Sequence, residues 1–216
     1  MSTNRDIKDG LFDQVARMAK AVANPKRLEL LDLLCQAPKS VETLSRETGI
    51  SVKLASAHLK ELRIAHLVQT ERQGKYIIYR IASDEVPRFY VALRNLAEHR
   101  LFELQDALRQ LSANSSEWQG KNHDELMRQA RKGEVVVIDV RPASEFEQQH
   151  FQFARSMPLE ELQSRLAELP KGIPIVAYCR GPYCLMSADA VRLLQEQGYA
   201  ASQMRDGVNE WITAAG

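Results

Sequence analysis

The chain has 216 residues, of which 44% are hydrophobic and 26% charged, with a formal net charge of +1. That length suits two domains, and the composition excludes a disordered or fibrous chain. No apolar run approaches the roughly 20 residues of a membrane span, the polar start Met1-Ser2-Thr3-Asn4 has no signal-peptide core, and three cysteines do not make a disulfide framework.

A cytoplasmic protein with reduced, reactive thiols is therefore expected. Charge is unevenly spread. Residues 1–112 carry 18 Lys and Arg against 14 Asp and Glu, giving +4, whereas residues 113–216 carry 11 against 14, giving −3. Residues 37–80 hold 8 basic and 4 acidic side chains, a mild bias compatible with nucleic acid.

In chain order, Asn24-Pro25 starts a helix, with Asn as cap and Pro at the first helical position. Leu28, Leu30, Leu31, Leu33 and Leu34 mark it as buried on a broad face. Pro38 separates it from a short helix over Val41–Thr48, with Val41, Leu44 and Thr48 inward. Gly49-Ile50-Ser51 is a sharp turn, and Ser51 caps a third helix in which Leu54, Leu59, Leu62 and Ile64 are expected to face the core. Two short helices joined by such a turn make a helix-turn-helix. The third helix leaves Ser51, Val52, Lys53, Ser56, Ala57 and Lys60 outward. Small hydroxyl and amine side chains let a helix enter the major groove, so Ser51, Lys53, Ser56, His58 and Lys60 are the candidate DNA contacts. The runs 67–72 and 76–81 alternate as two strands closed by Gln73-Gly74-Lys75. Arg72 and Lys75 at that tip are placed for the phosphate backbone or minor groove.

Residues 10–105, through Ala23-Asn24-Pro25-Lys26-Arg27-Leu28, Thr48-Gly49-Ile50-Ser51, Ala57-His58-Leu59-Lys60-Glu61-Leu62 and the wing Gly74-Lys75-Tyr76-Ile77-Ile78-Tyr79, resemble an ArsR-type (ArsR/SmtB) winged-helix repressor domain. The resemblance implies a homodimer built from the N-terminal helix (Leu11, Val15, Met18, Ala19) and a long helix near 85–111, reading an inverted-repeat operator in double-stranded DNA. Ser40 and Glu42 occupy the positions of the metal-sensing members' cysteine pair, His99 stands alone, and Cys35 reads as core, so no metal or cofactor is expected.

Residues 112–122 are small and polar and read as a linker, with Trp118 expected to dock on a flanking domain. Beyond it, strands such as 135–140 alternate with helices, which argues for a parallel α/β sheet. The run Ile175-Val176-Ala177-Tyr178 leads into Cys179-Arg180-Gly181-Pro182-Tyr183-Cys184 and then a helical pattern. A cysteine on a loop between strand and helix lies where backbone N–H groups and a helix dipole converge, which favours the nucleophilic thiolate.

Residues 120–216 resemble a single rhodanese domain. The carrying motifs are Asp139-Val140-Arg141-Pro142-Ala143-Ser144-Glu145-Phe146, His150, Met157-Pro158-Leu159, the cysteine loop and Asp206-Gly207-Val208-Asn209-Glu210-Trp211. Gln149, Phe153 and Asp206 stand where the family has glycine. Asp139, Arg141 and Glu145 are expected to form a structural network at the sheet edge, and His150 to fix a turn. The resemblance makes Cys179 the nucleophile and the six-residue loop that of a sulfurtransferase, with Gly181, Pro182 and Tyr183 as an anion cradle and Arg180 able to hold an anionic donor. Cys184 is expected either to resolve a Cys179 persulfide or to be a small residue at the helix start.

The expected fold is therefore a mainly α winged helix-turn-helix domain over 1–111, a linker over 112–122, and an α/β rhodanese-like domain with a parallel sheet over 123–216. Together these predict a transcriptional regulator, a repressor, that senses or processes reactive sulfur from a persulfide, polysulfide or thiosulfate donor. The alternative is a sulfurtransferase whose winged helix only dimerises or localises it.

Overall fold

The computed structural model describes residues 3–112, 116–120 and 123–214. They form two compact units, Met1–Tyr90 and Val91–Gly216.

In the first unit, α1 (Asn4–Val22) is capped by Thr3, whose side chain accepts from Asp6 N while Asp6 accepts from Thr3 N. Helix α2 (Pro25–Gln36) starts at Asn24, whose side chain accepts from Arg27 N at 3.1 Å. A two-residue strand β1 (Lys39–Ser40) precedes α3 (Val41–Thr48), which Gly49 ends at φ +65°, a left-handed conformation suited to glycine. The Ser45 hydroxyl donates to the Ile50 carbonyl at 2.6 Å and fixes the turn into α4 (Val52–Ile64), capped by Ser51. Strands β2 (Val68–Gln73) and β3 (Tyr76–Ile81) form the wing, and β1 adds to β3, giving a sheet in the order β1-β3-β2. This third strand has no alternating signal of its own; two residues are too short to carry a period.

Leu30, Leu31, Leu34, Leu44, Leu59 and Leu62 fill the core. Two expected core positions lie outside it: Leu54 is 44% and Ile64 48% exposed. The buried face of α4 is set by Ala55, Leu59 and Leu62, at spacings of four and three, and neither Leu54 nor Ile64 falls in that phase.

The expected long helix near 85–111 is two helices, α5 (Glu85–Arg100) and α6 (Phe102–Ser112). At the break the Gln105 side-chain amide donates to the Glu98 carbonyl at 2.8 Å, and Leu101 O receives Gln105 N.

From Val91 onward the chain belongs to the second unit. After α7 (His123–Lys132) come β4 (Val136–Asp139), α8 (Ala143–Gln148), β5 (Arg155–Ser156) and α9 (Leu159–Leu162) with a 3-10 turn over Gln163–Glu168. Then follow β6 (Ile175–Tyr178), α10 (Met186–Glu196), β7 (Ala201–Gln203) and α11 (Val208–Ala214). The sheet is wholly parallel, in the order β5-β4-β6-β7. Its residues alternate between two cores. Ile138 and Ala177 pack with Ala190, Val191 and Leu194 of α10, whereas Val137, Val176 and Tyr178 pack with Leu126, Phe151 and Val208. Trp118 docks on the second of these cores, and its backbone N–H donates to the Gln203 carbonyl at 2.8 Å.

At the sheet edge, Arg141 clasps Asp139 at 2.6 Å, both fully buried, and reaches the Gln149 carbonyl at 2.7 Å. Glu145 also acts on Arg141 and pairs with Arg180, which extends the set of charges to the cysteine loop. His150 Nδ1 lies 2.7 Å from the Phe146 carbonyl and its ring stacks on Phe146. Gln149 is extended and needs no glycine, but Phe153 takes φ +67°, a conformation unfavourable for a bulky residue.

Candidate functional site

The parallel sheet aims β6 so that its next residue, Cys179, opens the loop leading to α10. Cys179 is only 2% exposed. Its Sγ lies 3.2 Å from Ser187 Oγ, in the first turn of α10, and 3.5 Å from the Cys184 carbonyl. The loop closes on itself through Cys184 N donating to Gly181 O at 3.1 Å, with Gly181 at φ +135°.

These contacts decide the sulfur's charge. Burial pushes the Cys179 thiol up. The Cys184 thiol, the Ser187 hydroxyl and the amides of Ser187 and Gly181 act together the other way and bring it down to about 7. Cys184 moves in the opposite direction, chiefly because its proton is held by the Cys179 sulfur, and then by burial. Once the pair has lost one proton, the charge therefore rests on Cys179 and the remaining proton on Cys184. Ser187 Oγ also lies 3.4 Å from Gln203 Oε1, so its hydroxyl has two acceptors, of which the ionised sulfur is the nearer and the stronger.

Arg180 points away from a role as an open cation. Its guanidinium is bound by Glu145 at 2.5, 3.0 and 3.1 Å, and Glu145 is fully buried. An anionic donor at Arg180 has to compete with that carboxylate. Pro182 and Tyr183 complete the turn. Burial, and then Glu98, push the Tyr183 hydroxyl up to about 12, while the Arg94 guanidinium sits 5.4 Å from its ring.

Behind the loop lies a carboxylate that the sequence did not single out. Glu210 Oε2 accepts from Gly207 N at 2.6 Å, and Oε1 pairs with Arg94 at 2.6 Å. A Cβ on Gly181 would stand 2.9 Å from Glu210 Oε2, and one on Gly207 would stand 2.6 Å from the Arg180 carbonyl carbon. Arg94 also meets Glu98 at 3.3 Å, and Glu98 meets Arg205 at 3.0 Å. The cysteine loop is thus backed by α11 and tied to the C-terminal half of α5.

In the first unit, α4 displays Ser51, Lys53 and Lys60 to solvent, with Ser56 and His58 half-buried on the same helix. Arg72 and Lys75 are exposed at the wing tip, where Arg72 Nε donates to the Gly74 carbonyl at 3.2 Å.

Two family models match this sequence: a bacterial regulatory protein model, arsR family, over residues 24–70, and a rhodanese-like domain model over residues 122–214. The HTH-type transcriptional regulator Rv0324 of Mycobacterium tuberculosis (strain ATCC 25618 / H37Rv) is 39% identical over 214 residues, spanning 99% of this chain and 94% of its own. The chain belongs to the arsR family of regulators, with a rhodanese-like domain joined to it. Other relatives match less of this ArsR-family regulator. The HTH-type transcriptional regulator YgaV of Escherichia coli (strain K12) is 34% identical over 85 residues, 39% of this chain and 86% of YgaV. An NMR structure of the homodimeric winged helix-turn-helix DNA-binding domain (fragment 1–100) of Mb0332 from Mycobacterium bovis is 40% identical. It covers 48% of this chain and 95% of its own, with a TM-score of 0.44.

In this ArsR-family regulator the residues missed by sequence reasoning are Ser187, Glu210, Arg94 and Glu98. Ser187 had a usable signal, a hydroxyl in the first turn of the helix that the cysteine loop opens. The pairing of Arg94 with Glu210 had none, because 116 residues separate them.

Proposed function

We propose that this ArsR-family transcriptional regulator is a cytoplasmic homodimeric repressor whose affinity for operator DNA follows the sulfur state of Cys179. Its functional domains are the winged helix over 1–111 and the rhodanese-like domain over 123–216, joined through 112–122. The carrying observation is the sulfur's cradle: buried Cys179 Sγ lies 3.2 Å from Ser187 Oγ and beside Cys184, surroundings that bring the thiol down to about 7. A thiol serving only as core has no use for such a cradle.

The chemistry follows from the pair. The Cys179 thiolate attacks the outer sulfur of a persulfide R–S–SH. The new Sγ–S bond forms as the donor S–S bond breaks, and RS⁻ leaves with the electron pair and takes a proton from solvent. Cys179 then carries S–SH. Cys184, after losing its proton, attacks Sγ and expels HS⁻, so a Cys179–Cys184 disulfide and one sulfide result. The two cysteines are oxidised and the sulfane sulfur is reduced. Either product takes the charge off Sγ, around which Ser187 and the amides are arranged: the persulfide carries it one bond out on the added sulfur, and the disulfide abolishes it.

Lys53, Ser51, Ser56, His58 and Lys60 on α4, with Arg72 and Lys75 on the wing, supply the operator contacts. The apolar stripe Ile7, Leu11, Val15 and Met18 on α1 supports the dimer: Leu11 is 65% and Val15 68% exposed in the single chain.

The test is operator affinity, by fluorescence anisotropy, of wild type and Cys179→Ser with and without polysulfide. Wild type is expected to lose affinity on treatment and the variant to keep it. An equal response in Cys179→Ser would refute the reading.

A further inference from the structure

We propose that the cavity beside Cys184 binds an organic persulfide of amino-acid or small-peptide size, a zwitterion, in preference to thiosulfate or inorganic polysulfide. This names the donor class of the sulfur-responsive site above and rests on that reading.

The cavity measures about 380 Å³ and is walled by the cysteine loop on one side and by α5 and α6 on the other. Its size lies in the range of small-molecule sites, roughly 300–1,000 Å³. At about 30 Å³ per water it holds roughly a dozen, so an inorganic oxyanion leaves most of it to solvent. Leu108, Leu111 and Leu185 give it apolar surface that a carbon chain covers and a sulfur oxyanion does not.

Its charged residues are of both signs. Arg109 and Arg205 face the space together with Glu98 and Glu117. Arg205 pairs with Glu98 and Arg109 with Asp106, so the lining is close to balanced: a small dianion meets as much repulsion as attraction there, whereas a molecule carrying both an ammonium and a carboxylate adds one charge of each sign and keeps that balance. Arg180, the loop's own cation, is already bound by fully buried Glu145, and pulling it away to hold an oxyanion costs that carboxylate its contacts of 2.5, 3.0 and 3.1 Å. Thiosulfate therefore lacks its natural anchor.

Access points the same way. Cys184 lines the cavity while Cys179 lies behind it, within reach of the Cys184 proton. A donor seated against α6 presents its outer sulfur past Cys184 to the Cys179 thiolate. The transfer is the one written above: Sγ–S forms, the donor S–S breaks, and the organic thiol departs into the cavity it already fills.

The experiment is rapid-mix sulfur loading of the full-length protein, followed by intact mass, with glutathione persulfide, cysteine persulfide, thiosulfate and sodium polysulfide at equal sulfane sulfur. Organic persulfides are expected to load Cys179 about tenfold or more faster than thiosulfate. Leu108→Trp, which fills the cavity from α6, is expected to lower the ratio of organic-persulfide to polysulfide loading by about tenfold. Arg109→Glu, at an exposed position, is expected to lower the same ratio without disturbing the fold. Thiosulfate loading as fast as the organic donors, or an unchanged ratio in both variants, overturns the cavity assignment and leaves the sensing reading standing. Failure of every donor to load wild-type Cys179 overturns both.

Discussion

Arg94 and Glu210 lie 116 residues apart in sequence, yet a guanidinium nitrogen of one is 2.6 Å from a carboxylate oxygen of the other. The Glu210 carboxylate also holds Gly207 N and leaves no room for a side chain on Gly181, so the same group that backs the cysteine loop is gripped by α5. A sulfur atom added to Cys179 is expected to crowd this loop, with contacts onward to α5 through Glu210 and, by way of Tyr183, through Glu98. Coupling of this kind needs contacts that differ between the two states.

Breaking that path separates sulfur uptake from its consequence. Arg94→Ala leaves Glu210 buried without its partner and is expected to cost about 3–5 kcal/mol, read by urea denaturation. Arg205→Gln, at a half-exposed position, is the milder probe. Because Arg205 also lines the donor cavity, inorganic polysulfide, the donor that does not depend on that cavity, is used; the variant is expected to keep the fold and still gain sulfur from it by intact mass, but to show a smaller change in operator affinity.

Thiol reactivity at position 179 depends on pH in a specific window. Iodoacetamide alkylation of Cys179 is expected to reach half its maximal rate at about pH 7 rather than near 9. Cys184→Ser replaces the thiol donor and is expected to change that midpoint, which titration of the rate against pH reads directly. Stability follows by linkage. The folded pKa lies below the unfolded value of 9.0, so the contribution is complete above about 9 and lost as pH falls through about 7. It amounts to about 3 kcal/mol at most. Cys184, raised in the fold, has the opposite sign and begins to subtract as pH rises past its unfolded value of 9.0. Denaturation of wild type is therefore expected to show rising stability from pH 7 toward 9, a slope absent in Cys179→Ser.

For DNA, Lys53→Ala and Lys60→Ala on α4 are expected to weaken binding across sequences, and each to reduce the slope of log K against log salt by about 0.9 if it neutralises one phosphate. Anisotropy at several salt concentrations gives the slopes. Ser56→Ala is expected instead to change preference among sequences with the salt slope unaltered.

Phe153 stands at φ +67° where a glycine would be unstrained, and its side chain is 47% exposed, so little packing is at stake. Phe153→Gly is expected to stabilise the protein by up to about 1 kcal/mol, the left-handed strain relieved less the entropy of a glycine. Chemical denaturation checks the sign.

Much of this architecture could be read before any coordinates, wherever a local rule operated alone. Asn24, Ser51 and Gly49 do what cap and turn residues do, and the alternation of Val136–Asp139 and Ile175–Tyr178 matches the two faces of a buried sheet. Cys179 was legible because its loop joins a strand to a helix. What escaped depended on partners distant in sequence. Arg180 reads as an open cation until Glu145, 35 residues earlier, is seen to occupy it. Leu54 and Ile64 read as core because apolar composition was counted without the exact phase of α4. The break at Leu101 escaped because no proline or glycine marks the place, and the contact that spans it, from the Gln105 side chain to the Glu98 carbonyl, leaves no pattern in the sequence.

The mould around Cys179 is made of two stretches of chain, 179–187 and 207–210, that are apart in sequence. Gly207 is pressed so close to the backbone of Cys179 and Arg180 that no side chain fits between them, and Glu210 wedges in behind Gly181. A protein shortened to end at Gln203 would keep every residue from Cys179 to Cys184, every strand of the sheet and the donors from Cys184, Ser187 and Gly181, but it would lose the backing against which the loop is shaped. Gly207 and Glu210 thereby belong to the reactive centre as much as the donors that touch the sulfur.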